Sequence, residues 1–303
     1  MNQSLTLALD WTPNINHIGF FVARYLGYYE EKGIDLLITD PRVDDYETTP
    51  VKKLELGLID FALCPTESVI SYRTKEKPFD LKAIAGLFKK DLSAIAVLAD
   101  SGIQSPKELD NKRYCSYHAR YEDGIVAEMI KNAGGKGKMK TISPDRLGIW
   151  ENLLQGKADA TWIFMNWEGV AASSKGLDLN CFRLSEYDIP YSYSPLIVTS
   201  HQMIKEKKAL VCDFLEATKA GFMYCKTKPN EALDVLMSHI PNHEQEINLS
   251  EALKETIPYL GEEDNWGKID LKVMKRFLDW LEAKGLATQT PSAEDMVFED
   301  CVQ

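Results

Sequence analysis

One short pattern occurs twice in this chain and limits its fold more than any other feature. Leu56-Gly57-Leu58-Ile59-Asp60-Phe61-Ala62 closes a helix, turns on glycine and opens a strand. Gln155-Gly156-Lys157-Ala158-Asp159-Ala160-Thr161 repeats the step. In each copy the glycine is the residue able to take the left-handed conformation that stops a helix, and a short apolar strand follows. The step also recurs in other α/β chains, so the surrounding pattern has to agree with it. Two copies predict two similar lobes, and 303 residues suit two domains at roughly 100–200 residues each.

The first forty residues read as strand, helix, strand. Leu5–Leu9 alternates apolar with small or polar residues. Asp10 to Asn16 is a turn rich in proline and asparagine, and His17–Tyr29 carries large apolar residues at helical spacing with Gly33 as its stop. Ile34–Ile38 is the second strand. Parallel strands joined by a helix imply a sheet covered on both faces. Ala94–Leu98 reads as a strand crossing to the second lobe, and Ser105–Leu109 starts a short helix with Pro106 in its first turn. Arg113–Ser116 is a strand, and Tyr121–Asn132 a helix closed by Gly134-Gly135. A return crossing falls near Ser194–Val198. The remainder is helix-rich, with amphipathic runs at Lys208–Cys225 and Leu271–Lys284. The predicted architecture is α/β: two lobes of mostly parallel sheet with helices on both faces. Lobe one is 1–93 plus 197–303 and lobe two is 94–196. Two crossings make a hinge.

A net charge of −11 argues against a nucleic-acid backbone or an anionic membrane as the main partner. The six cysteines form no CxxC pair in a chain that is neither short nor cysteine-dense, so they are expected as free thiols in a reducing compartment. The five histidines show no HxxH or HExxH spacing, and no metal site is read. Met1-Asn2-Gln3-Ser4 leaves no room for a secretory leader before the first strand. No apolar run reaches the roughly 18–20 residues of a membrane span. The expectation is a cytoplasmic protein as written, or a periplasmic or surface-anchored one if a leader has been removed.

Ligands of open parallel sheets bind beyond the carboxyl ends of the strands, which selects four segments. In Trp11-Thr12-Pro13-Asn14-Ile15-Asn16-His17 an indole stacks on a flat ring or packs in the core, and Asn16 offers a contact or caps the helix. Cys64-Pro65-Thr66-Glu67-Ser68 opens a helix whose N–H groups suit a polar ligand group, or is simple capping chemistry. Tyr117-His118-Ala119-Arg120-Tyr121-Glu122 gathers rings and charges at a second helix start. In Phe164-Met165-Asn166-Trp167-Glu168 a carboxylate beside aromatics suits the amino edge of a pyrimidine. Tyr191-Ser192-Tyr193-Ser194-Pro195, at the return crossing, is placed to close over a ligand. There is no nucleophile–base set, Walker loop or dinucleotide fingerprint, so no catalytic residue is named.

At Leu9-Asp10-Trp11-Thr12-Pro13-Asn14-Ile15-Asn16-His17 the chain resembles the thiamin-precursor branch of the type II periplasmic-binding-protein superfamily. Gly27-Tyr28-Tyr29, Gly33-Ile34-Asp35, both repeat copies and Trp167-Glu168-Gly169 extend the resemblance over most of residues 1 to 225. That branch contains transporter binding proteins for formylated aminomethylpyrimidine, and hydroxymethylpyrimidine phosphate synthase. For a binding protein the resemblance implies that Trp11 stacks on the pyrimidine and that Glu168 contacts its amino edge. Asn14, His17, Glu67, Tyr121, Trp167 and Tyr191 are further expected contacts. No cofactor is expected, and an ABC transporter permease is the implied partner of an exported chain. For the synthase the resemblance implies pyridoxal phosphate on the protein's own lysine and an iron-dependent reaction that consumes its own histidine. Cys64 and Ser68 stand at those two positions. Tyr191–Pro195 has no cysteine where the synthase has a cysteine-rich strip, and Ala119-Arg120-Tyr121-Glu122 replaces its glycine-rich phosphate loop. The expected function is binding of a thiamin-related aminopyrimidine between the lobes. The alternatives are the synthase reaction and a binder of another solute, such as a sulfonate, riboflavin or an amino acid.

Overall fold

The computed structural model describes residues 2–143 and 149–301. The first sheet takes β1 (Gln3–Ala8), β2 (Ile34–Thr39), β3 (Phe61–Cys64) and β4 (Leu81–Gly86). The second takes β5 (Ser93–Leu98), β6 (Arg113–Cys115), β7 (Lys140–Ile142), β8 (Ala160–Phe164) and β9 (Leu179–Arg183). The chain then returns, and β10 (Leu196–Ser200) completes the first sheet. The strand orders are β2-β1-β3-β10-β4 and β7-β6-β8-β5-β9. In each sheet the three strands at one end are parallel, and the strand contributed by a crossing runs antiparallel between its neighbours. The two sheets are therefore the same design, reached from different stretches of chain.

The repeated motif does the same work in both sheets. Gly57 and Gly156 take left-handed backbone, with φ of 70° and 61°. Asp60 then donates its backbone N–H to the Thr6 carbonyl at 3.0 Å, and its Oδ2 accepts the Thr6 N–H at 2.8 Å. Asp159 receives Arg113 N–H at 2.7 Å in the same way, and its carboxylate also pairs with the Arg113 guanidinium. Each aspartate satisfies a backbone donor of the neighbouring strand, Thr6 within β1 and Arg113 at the start of β6, just before β3 and β8 begin.

Three expectations need correction. The helix expected over His17–Tyr29 is broken: a 3-10 turn at Ile15–His17 leads into Ile18–Tyr25, and a second short helix covers Tyr28–Glu31. Gly27, with φ of 78°, ends the first of these. The helix expected from Tyr121 begins at Glu122, because Tyr121 holds a left-handed backbone and cannot be its first helical residue. Finally, the cysteines are not all free thiols. Cys212, on the long helix His201–Thr227, is disulfide-bonded to Cys301. Beside it Lys208 pairs with Asp300, so the C-terminal segment is fastened to that helix. Cys64, Cys115 and Cys225 are free and buried, and Cys181 is free and partly buried.

The long helix lies against Ile18–Tyr25 with almost no space between the backbones. A Cβ on Gly221 would fall 2.1 Å from the Gly19 carbonyl oxygen. One large buried cluster joins β1, these helices and the C-terminal helices, and it includes Trp167, Val170 and Ala171 from beyond β8. A second joins the opposite face of the first sheet to the second sheet and the helix Leu271–Ala283. Among the described residues no helix is long and apolar enough to cross a membrane.

Candidate ligand-binding site

The carboxyl ends of β1, β3, β6 and β8 converge on a cavity of about 240 Å³ between the two sheets. Asp10, Trp11, Asn14 and Asn16 enter it from the turn after β1, and Pro65 and Glu67 from the turn after β3. Tyr117, Ala119 and Glu122 follow β6. Trp162, Ile163 and Phe164 end β8, with Glu168 just beyond, while Tyr191 and Ser194 come from the return crossing.

The turn after β1 is held from within. Asn14 caps the 3-10 turn: its Oδ1 accepts the Asn16 N–H at 2.8 Å and its Nδ2 donates to the Thr12 carbonyl. His17 completes a capping box, its Nδ1 accepting the Asn14 N–H at 3.2 Å. The ring's proton is thereby assigned to Nε2, which donates to Asp10 Oδ1 at 2.9 Å. His17 thus orients Asp10, which lines the cavity. Asn16 reaches across to the second lobe, where its Oδ1 accepts Asn166 Nδ2 at 2.7 Å. Trp11 is partly buried between two rings that approach it edge-on, Tyr46 at 6.2 Å and Tyr117 at 6.1 Å.

Two glutamates are the site's electrostatic centre. Glu67, buried in the helix Thr66–Thr74, accepts the Tyr191 hydroxyl on Oε1 at 2.7 Å. Its Oε2 has no partner among the described residues. Burial pushes its carboxyl up to about 7, with the tyrosine's hydrogen bond pulling the other way. Glu168 sits in a π-helical turn, Met165–Gly169, that curls back so its Oε2 accepts the Phe164 N–H at 2.8 Å. Desolvation raises this carboxyl to about 7 as well. Tyr191 also meets the Trp162 ring edge-on at 5.2 Å, so Glu67, Tyr191 and Trp162 form one wall. Asp10, Glu67, Glu122 and Glu168 all line the cavity, and none of the described residues lining it is a lysine, arginine or histidine.

Of the residues singled out in the sequence, Trp11, Asn14, Glu67, Glu168 and Tyr191 line this cavity, and His17, Tyr121 and Trp167 do not. His17 is fully buried behind Asp10. Trp167 is buried in the apolar cluster with Ile15 and Val170, because the π-helical turn points its indole away from Glu168's side. Tyr121 lies under the Arg120 guanidinium, 4.8 Å from it. Asp10 and Trp162 were missed. Trp162 had a usable signal: aligning the two repeats sets it opposite Leu63, a tryptophan where the first copy has an ordinary core leucine. Among the described residues no three His, Cys, Asp or Glu side chains gather as a metal site.

Comparison with known proteins agrees with this architecture. A formylaminopyrimidine-binding protein of Halalkalibacterium halodurans is 25% identical over 302 residues, covering 97% of this chain and 89% of that protein. A 4-amino-5-hydroxymethyl-2-methylpyrimidine phosphate synthase of Legionella pneumophila is 25% identical over 257 residues, covering 80% and 75% respectively. Among solved structures, the alkanesulfonate-binding protein SsuA of Xanthomonas axonopodis pv. citri, bound to MOPS, aligns over 99% of both chains. Its TM-score is 0.72 at 11% identity, a likeness of fold. The model of the NMT1/THI5 like family matches residues 14–232, more than half of the sequence, and the chain belongs to that family.

Proposed function

We propose that this protein binds a small aminopyrimidine in the interlobe cavity and does no chemistry on it. The observation that carries the reading is a small, aromatic-walled cavity with two buried glutamates and, among the described residues, no cation. At about 240 Å³ it lies below the roughly 300–1,000 Å³ of drug-sized sites, which suits one ring with short substituents. Trp11 supplies a face for that ring. Glu168 accepts from its amino group, and Glu67, with one oxygen unpartnered, accepts or donates to a ring nitrogen. Lobe one (1–93 plus 197–303) closes on lobe two (94–196) around the ligand.

The alternatives fit less well. Pyridoxal phosphate held on a lysine does not suit these residues, because Cys64 occupies the expected position and no lysine lines the cavity. The carboxylate-rich lining disfavours a sulfonate, and its volume disfavours a tricyclic flavin. The Cys212–Cys301 bond supports work in an oxidising, extracytoplasmic compartment, with an ABC transporter permease as partner.

Calorimetric titration with formylaminopyrimidine tests the proposal. Base–aromatic stacking contributes about 1–3 kcal/mol, so Trp11→Ala should weaken binding roughly 10- to 100-fold. Unchanged affinity in that variant would remove Trp11 from the site, and no binding by the parent protein would remove the function.

A further inference from the structure

The loop between β6 and the helix Glu122–Asn132 is curled by left-handed backbone at His118 (φ 57°) and Tyr121 (φ 72°). Curled loops of this kind turn successive N–H groups inward and make anion-binding concavities. Here the anion is already supplied by the chain. Glu122, 4% exposed, accepts the Tyr117 N–H at 3.1 Å and the Tyr114 hydroxyl at 2.8 Å on Oε1. Its Oε2 accepts the Ala119 N–H at 3.0 Å. The intervening His118 N–H is taken by Ser116 Oγ at 2.9 Å. Burial raises the Glu122 carboxyl above its ordinary value, and its three hydrogen-bond partners, all donors, oppose that rise and favour the ionised form. The loop's own cation, Arg120, faces elsewhere, donating to Thr74 Oγ1 at 3.0 Å.

We propose that Glu122 is an internal anion that fills the N–H cradle of this loop and thereby restricts the cavity to unphosphorylated ligands. The proposal rests on the aminopyrimidine reading of the same cavity and names the ligand class within it. A phosphoryl group entering here would find the cradle's donors occupied and four carboxyl groups, those of Asp10, Glu67, Glu122 and Glu168, in the wall. Among the described residues no lining cation offsets them.

The test uses the full chain, the Glu122→Ala and Glu122→Gln variants, and two kinds of probe. The first is inorganic phosphate, with chloride at equal ionic strength as control, read by thermal unfolding. Phosphate should raise the melting temperature of Glu122→Ala above the chloride control and leave the parent protein unchanged. The second is 4-amino-5-hydroxymethyl-2-methylpyrimidine beside its phosphate ester, read by calorimetry. The parent should prefer the free alcohol by about 100-fold, and Glu122→Gln should narrow that preference roughly tenfold or more. Equal or tighter binding of the ester by the parent overturns the proposal. So does a Glu122→Ala protein blind to phosphate, or an unchanged preference in Glu122→Gln. Should Glu122→Ala not fold, the phosphate arm is read on Glu122→Gly, which also empties the cradle, and the absence of phosphate binding there counts equally against it. If neither pyrimidine binds the parent, the proposed function fails, while the phosphate arm still decides the role of Glu122.

Discussion

Between about pH 5 and pH 8 the ligand-free protein should lose about 2–3 kcal/mol of stability through Glu67 alone. Its carboxyl is raised in the folded state from the ordinary value of 4.5 to about 7, chiefly by burial. The folded protein therefore holds this proton at pH values where the unfolded chain has released it. The associated stability is fully present below about 4.5 and disappears as the pH climbs through 7. Asp91 and Glu122, both acidic, add to the upward shift, and the Tyr191 hydroxyl opposes it. Glu67→Gln keeps an acceptor for Tyr191 and removes the titrating group. Urea unfolding at the two pH values should then show a correspondingly smaller loss. An unchanged loss in the variant would assign the effect elsewhere, to Glu168 at about 7 or to Asp91 at about 6. A ligand that donates to Glu67 stabilises the ionised form, so saturating ligand should flatten the same pH dependence.

Replacing Gly221 should loosen the packing of the long helix on Ile18–Tyr25. Its Cβ would lie 2.1 Å from the Gly19 carbonyl oxygen, 2.8 Å from Ala23 Cβ and 2.9 Å from Ala23 N. Two of those three atoms are backbone, which no side-chain rotation relieves. Alanine restores about 1 kcal/mol of helix propensity. The overpacking nevertheless forces the long helix off its neighbour, at a typical cost of about 1–3 kcal/mol and sometimes more. Gly221→Ala should be destabilised by a net of about 0–2 kcal/mol, and Gly221→Val, which adds two methyls at the same point, by clearly more. Urea midpoints measure this directly, and a Gly221→Val variant as stable as the parent would mean that the helices do not touch there. Affinity should fall as well. The helix Ile18–Tyr25 continues from the 3-10 turn that holds Asn14 and Asn16 at the cavity, so moving it moves them.

The fold was legible because its signals are local. Glycine and aspartate at matching places in two repeats, together with alternating strands, specify backbone geometry within a few residues of themselves, and the structure puts them to the same use. The two crossings, Ala94–Leu98 and Ser194–Val198, were visible as apolar runs that no flanking helix needed. The site was legible only to the level of segments. All four segments chosen by the strand-end rule reach the cavity, yet within each the sequence does not say which side chain turns inward. Trp167 and Glu168 are adjacent, and a π-helical turn decides which of them faces the cavity. His17 has the chemistry of a contact residue and uses both ring nitrogens on its own turn. The Cys212–Cys301 bond joins residues 89 apart in sequence, a separation that no spacing rule encodes.

The interrupted first sheet has a consequence for a chain emerging from the ribosome. Strands β5 to β9 are consecutive, so every strand of the second sheet has been made once Arg183 has emerged. The first sheet began earlier but lacks its member between β3 and β4 until Leu196–Ser200 arrives, and the long helix over it ends only at Thr227. During synthesis the later lobe therefore completes first, while β3 and β4 wait with open, apolar edges that invite pairing with the wrong strand. A chaperone that shields nascent chains would find its substrate in residues 1–90, made before the second sheet and completed after it.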